Sequence, residues 1–138
     1  MSKKIKIKDK KKEIKPSPKL SIKTDEAKST NDKRVVFSFE HFGDKTHGLE
    51  CAAEEFKCLI KHLKSLSKMT WQQIQGSGRH QLGSEEITVS EIREPISTTK
   101  EKVLSFRYSG KKPFIGERKD QILDIYYIDP NFDLYDHK

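Results

Sequence analysis

The last third of the chain carries arginine, tyrosine and histidine side chains on segments that read as neighbouring strands. Arg107 is expected to point outward from one strand and Arg118 to lie on the next, while Tyr135 and His137 close the chain. A histidine or tyrosine acid–base and a guanidinium that stabilises charge on phosphorus are the groups needed to cleave RNA through its 2′-hydroxyl without a metal. We therefore take these four as candidate catalytic residues and expect no cofactor and no metal site.

Each candidate also has an ordinary structural interpretation. Arg107 can pair with a neighbouring acid such as Glu117, the tyrosines can be half buried in a core, and His137 can fray at the terminus. The sequence alone leaves both interpretations open.

The elements that must position these residues follow from hydrophobic periodicity. Alternation over 35–42 predicts a first strand, and apolar residues at helical spacing predict a helix from about Gly48 to about Leu66. Thr70 and Gln73 form a capping-box pattern, so a short second helix should begin at Trp71. From 86 onward the period is two, with Leu104, Phe106 and Tyr108 facing a core and Ser105 facing out. We predict an α+β fold with an N-terminal strand, two helices and an antiparallel β-meander.

Charge divides the chain into two parts. Residues 1–33 hold twelve lysines against five acidic residues, whereas 34–138 hold sixteen basic against sixteen acidic residues. We interpret 1–33 as a disordered lysine-rich tail and 34–138 as one compact domain. The tail can neutralise phosphates of RNA or DNA by counterion release, or it can be a solubilising leader without a specific partner. The candidate nucleic-acid-binding residues there are Lys3, Lys4, Lys6, Lys8, Lys10, Lys11 and Lys12.

Two further patterns are weaker. Arg79 and His80 follow small residues in a predicted loop and could lie against phosphate, although a solvated connection is the simpler interpretation. On a helical wheel, His47, Cys51, Cys58 and His62 fall opposite the apolar stripe centred on Phe56, as two metal half-sites or as a polar surface. Without a secretory signal or membrane-spanning run, we expect a cytoplasmic protein with reduced thiols and no membrane partner.

The arrangement of the last strands resembles the RelE/ParE superfamily of small toxins. The resemblance covers about 35–137 and rests on element order and on four segments, Phe106-Arg107-Tyr108, Gly116-Glu117-Arg118, Ile125-Tyr126-Tyr127-Ile128 and Tyr135-Asp136-His137. It implies an RNA-directed toxin of the toxin–antitoxin type that cleaves messenger RNA on the ribosome, with an antitoxin-like protein as partner. It also implies that Arg107 and Arg118 contact phosphate and that Tyr135 or His137 is the acid–base.

The alternative hypothesis is a non-enzymatic module, of the type encoded by mobile elements, that binds nucleic acid or a protein. In that case the basic tail supplies attraction and the neutral domain has no catalytic role.

Overall fold

The computed structural model describes residues 29–77 and 84–136, which form a mixed five-stranded sheet with two helices. The fold class is therefore α+β. The helices are α1 (Ala53–Leu66) and α2 (Trp71–Gln75), and the strands are β1 (Val36–Ser38), β2 (Glu85–Thr88), β3 (Lys102–Ser109), β4 (Lys112–Lys119) and β5 (Ile122–Ile128). No helix in these two ranges is long and apolar enough to cross a membrane.

The strand order in the sheet is β1-β5-β4-β3-β2, and strands β3 to β5 form an antiparallel meander. Strand β1 is parallel to β5, with Val36 opposite Ile122. The two meander turns contain residues in the left-handed region, Gly110 at φ 58° and Asp120 at φ 60°. Glycine and aspartate are among the residues that adopt this conformation most readily, so local sequence favours both turns.

One face of the sheet packs against the helices. Leu59, Leu63 and Leu66 of α1 and Trp71 and Ile74 of α2 are all buried in the same cluster as apolar residues of β3, β4 and β5. The rings of Phe106 and Phe114 stack at its centre with centroids 5.2 Å apart. The predicted inward face of β3 is confirmed, because Leu104, Phe106 and Tyr108 all belong to this cluster.

The opposite face of the sheet is also covered. Ile115 and Tyr126 pack there with Ile92, Leu134 and other residues of the segments that follow β2 and β5. The prediction that Ser105 faces outward is wrong: it is 7% exposed, and its Oγ lies 2.8 Å from the Tyr135 hydroxyl. Strand alternation assigns a side chain to a face, but it does not reveal that a distant segment will cover that face.

Helix α1 begins five residues later than its periodicity predicts. Residues before it form consecutive turns, in which the amides of Gly48 and Glu50 donate to the Lys45 carbonyl. The Ile128 amide donates to the carbonyl of His47 at 2.8 Å, which ties this segment to the end of β5. Within α1 the fully buried residues are Leu59, Leu63 and Leu66, whereas Phe56 is partly buried and Ile60 is 55% exposed. The buried stripe is therefore not centred on Phe56.

The start of α2 agrees with the sequence pattern. The Gln73 amide donates to Thr70 Oγ1, and the Thr70 amide donates to Gln73 Oε1, which completes the predicted capping box. This helix places Trp71 in the core beside the first residues that the structure describes.

Candidate nucleic-acid interface

Four lysines form one stripe along the solvent-facing side of α1 and the turn that follows it. Lys57, Lys61, Lys64 and Lys68 are all exposed and follow the spacing i, i+4, i+7, i+11. At 100° per residue the three lysines within α1 span about 60° of the helix circumference, opposite Leu59, Leu63 and Leu66. Lys57 and Lys64 are separated by about 10 Å along the axis. The amphipathic pattern that buries the leucines therefore also aligns the ammonium groups.

The four lysines of the stripe form no ion pair with another described residue, although the exposed Glu54 precedes Lys57 by three residues on the same side of α1. By contrast, Lys112 is 3.0 Å from Glu55 and Lys100 is 3.3 Å from Glu117. The sequence contains no acidic residue between Glu55 and Glu85. The domain is neutral as a whole, but α1 presents unpaired positive charge while several basic residues of the sheet lie beside carboxylates.

The chain that leads into β1 meets this stripe at the C-terminal end of α1. The Trp71 amide donates to the Lys33 carbonyl at 3.0 Å, and Arg34 pairs with Thr70 in a single antiparallel bridge. Lys33 and Arg34 are both exposed, and their partners Trp71 and Thr70 follow Lys68 by three and two residues along the chain. The lysine-rich N-terminal segment thus joins the folded domain next to its unpaired basic surface.

Arg118 contacts both α2 and the chain that leads into β1 at that junction. Its guanidinium lies 4.2 Å from the ring centroid of Trp71, and its Nη2 donates to Thr30 Oγ1 at 2.9 Å and Asn31 Oδ1 at 2.8 Å. Its Nε donates to the carbonyl of Asp120 at 2.7 Å. Burial lowers the pKa of Arg118, which nonetheless stays charged at neutral pH. The arginine therefore anchors the incoming chain against α2.

Arg107 and Tyr135 lie on the other face of the sheet. Arg107 sits between Phe106 and Tyr108, whose side chains point to the helix face, so its own side chain points away from α1. Tyr135 is 4% exposed, and burial raises the pKa of its hydroxyl, which pairs with Ser105. The two candidate catalytic arginines are consequently on opposite faces and cannot contact one phosphate together.

The remaining predicted site residues lie outside the described ranges. They are His137, Arg79, His80 and the tail lysines Lys3, Lys4, Lys6, Lys8, Lys10, Lys11 and Lys12. Their assignments stay predictions. A shallow cleft in the described domain is lined by residues 96–99, Glu117 and Lys119, and neither Arg107, Arg118 nor Tyr135 contributes to its lining.

The proposed polar stripe of histidines and cysteines is not formed. His47 and Cys51 precede α1, and the Cys51 thiol donates to the carbonyl of Thr46 at 3.1 Å. Cys58 is half-buried against the helix-face core, and His62 meets Phe114 edge to face at 6.2 Å. The displacement follows from the shift of the buried stripe, since the helix face opposite Leu59 and Leu63 is occupied by lysines.

Comparison of the chain with family models, curated proteins and solved structures finds no match.

The lysine stripe can be found in the sequence, but the net charge of 34–138 is zero and does not reveal it. Helical spacing of four lysines together with the absence of acids between Glu55 and Glu85 is the signal that identifies it. The neighbouring position of Lys33 and Arg34 depends on backbone pairing between residues distant in sequence, which no local pattern reveals.

Proposed function

We propose that this protein is a non-enzymatic nucleic-acid-binding module that binds the phosphate backbone through the lysine stripe of α1 and the basic N-terminal segment. The single observation that supports this most directly is the alignment of four exposed lysines without a described carboxylate partner. Unpaired lysines along one helix face suit a polyanion, because each phosphate neutralised releases condensed counterions. This mode gives affinity without sequence reading.

The internal contacts of the domain favour binding over cleavage. Arg118 is bound to the Trp71 ring and the incoming chain, and the Tyr135 hydroxyl is paired with Ser105. An acid–base residue must be within reach of the proton that it transfers. In the described part of the chain these two groups are held by other protein groups and are on different faces of the sheet.

The decisive experiment measures binding of the full-length protein to a short RNA duplex and to a DNA duplex of the same sequence across a salt series. Replacing Lys61 and Lys64 with glutamine should reduce the slope of log affinity against log salt by about two, because two phosphate contacts are lost. Replacing the exposed Lys102 and Lys111 with glutamine removes the same charge elsewhere and should change the slope far less. Equal slopes for the two double variants would overturn the assignment of the interface to α1.

The endoribonuclease hypothesis stays a prediction and has its own readout. Messenger RNA in a translating extract should remain intact with wild-type protein if the module only binds. Cleavage that is lost in an Arg107→Ala, His137→Ala variant would instead support the toxin-like activity. The binding assay uses duplexes without translation, so the two results are independent.

A further inference from the structure

A histidine and three carboxylates meet between the turns before α1 and the C-terminal segment. His47 Nε2 lies 2.7 Å from Asp133 Oδ1 and 3.8 Å from Asp129 Oδ1. Its other ring nitrogen, Nδ1, lies 3.1 Å from Glu94 Oε2. The four residues come from three segments that are far apart in sequence, and none belongs to the proposed nucleic-acid interface.

Backbone hydrogen bonds fix the two residues at the centre of this cluster. Asp129 is fully buried, and its carboxylate accepts the amides of Asp133 at 3.0 Å and Leu134 at 3.1 Å. His47 is 9% exposed, and its carbonyl accepts the Ile128 amide. The loop from Asp129 to Asp133 is thereby folded back so that both carboxylates approach the same imidazole nitrogen.

The cluster has excess negative charge. Three carboxylates around one imidazole leave a negative formal charge in either protonation state of the ring. Asp129 is fully buried, whereas the side chains of Glu94 and Asp133 are 31% and 60% exposed, so the cluster is open to solvent on the side of these two carboxylates.

We propose that His47 Nε2, Asp129 and Asp133 bind a divalent transition-metal ion. One donor atom from each residue lies within 4.8 Å of the others, so small side-chain movements bring all three to about 2.0–2.2 Å from a common ion. The imidazole favours Zn²⁺ over Mg²⁺ and Ca²⁺, whose preferred ligands are oxygen atoms alone. Three protein ligands leave at least one coordination position for solvent or another ligand.

Glu94 has the role of an outer partner. A metal-binding histidine usually donates its second N–H to a carboxylate or carbonyl, which fixes the tautomer and the ring orientation. Glu94 is placed to accept from Nδ1, which leaves the Nε2 lone pair for the ion. This site differs from the cysteine half-sites considered from the sequence, because burial, Glu55 and Asp129 raise the pKa of the Cys51 thiol and disfavour its thiolate.

The test uses untagged, full-length protein freed of metal with EDTA. Titration with Co²⁺, followed by its visible absorption, and competition of Zn²⁺ with a chromophoric chelator should both show one ion per chain. Asp133→Asn should weaken Zn²⁺ binding by at least about tenfold, and Glu94→Gln by about 10- to 100-fold. Asp136→Asn removes a carboxylate that is 80% exposed and paired with Arg93, and it should leave Zn²⁺ affinity unchanged.

Four results would overturn the proposal. They are no stoichiometric binding by wild type, equal Zn²⁺ affinity of wild type and Asp133→Asn, equal affinity of wild type and Glu94→Gln, and loss of binding in a Cys51→Ser, Cys58→Ser variant. The Asp133 side chain is 60% exposed, so that variant is expected to fold, and circular dichroism checks it. Glu94→Gln supplies the decision if Asp133→Asn does not fold.

Discussion

His62 of α1 has a ring nitrogen whose burial without a described partner destabilises the fold. Its Nε2 is buried without a hydrogen-bond partner among the described residues, and its ring faces Phe114. Burial lowers the pKa of His62 below 6.5, so the imidazole is neutral in the folded protein at neutral pH. A buried polar atom without a partner destabilises the fold relative to an apolar side chain of similar size.

We predict that His62→Leu stabilises the protein by about 1 kcal/mol at neutral to alkaline pH. The gain should increase below about pH 6.5, because the unfolded wild-type chain then binds a proton that the folded chain resists. Urea unfolding of wild type and variant at pH 8 and at pH 5 measures this difference. A gain that is the same at both pH values would contradict the assigned cause.

Arg107 and Arg118 show what a residue type alone cannot reveal. Both were candidate phosphate ligands because both lie on predicted strands of the meander. The register places Arg118 opposite Leu123, on the helix face beside Trp71, and Arg107 on the opposite face. Phe106 is opposite Phe114 on the helix face, so strand alternation puts Arg107 and Arg118 on different faces. This outcome depends on how the two strands pair, which the residue types do not reveal.

At the scale of elements, Arg118 joins three of them: strand β4, helix α2 and the chain that precedes β1. We predict that Arg118→Gln lowers the free energy of unfolding by about 1–2 kcal/mol through loss of the contact with Trp71 and of charged hydrogen bonds. Arg118→Lys should recover only part of it, because an ammonium lacks the planar fork. Arg107→Gln is the control and should cost less than about 0.5 kcal/mol.

Urea unfolding followed by tryptophan fluorescence measures these differences, since Trp71 is the chain's single tryptophan. Equal destabilisation by Arg107→Gln and Arg118→Gln would show that the anchoring contacts do not stabilise the domain.

Several elements could be predicted because their signals are local. The capping box at Thr70 and Gln73 and the inward face of β3 are both confirmed. The predicted start of α1 is wrong because apolar residues at 49 and 52 match helical spacing. In the structure, turns and the hydrogen bond between His47 and β5 determine the conformation of that segment. The sequence did not predict that the C-terminal segment covers the second face of the sheet, because this packing depends on residues 30 positions apart, such as Ser105 and Tyr135.

At the scale of the whole molecule, the proposed interface combines a folded surface with the basic N-terminal segment. Residues 29–33 contact Trp71 and Arg118, so a deletion that tests the tail should end at Lys28. Two linked basic segments bind one polyanion more tightly than either alone, because the second contact is made at high effective concentration.

We predict that deletion of 1–28 reduces the salt slope of nucleic-acid binding more than the Lys61→Gln, Lys64→Gln variant does, because eleven lysines are removed. Residual binding should remain and should then depend on Lys61 and Lys64. A full-length variant with glutamine at the seven predicted tail lysines controls for chain length. An unchanged slope after deletion would exclude the tail from the interface.

The parallel pairing of β1 with β5 has a consequence for the time course of folding. Val36 and Ile122 are neighbours in the sheet although more than eighty residues separate them along the chain. Contacts between residues so far apart require closure of a long loop, and the entropy lost in closing it precedes the free energy gained from the contact. Domains that depend on such contacts fold slowly. During synthesis, β1 therefore has no partner strand until almost the whole domain has been made. The hydrogen bonds of α1 are local in sequence, so this helix can form earlier.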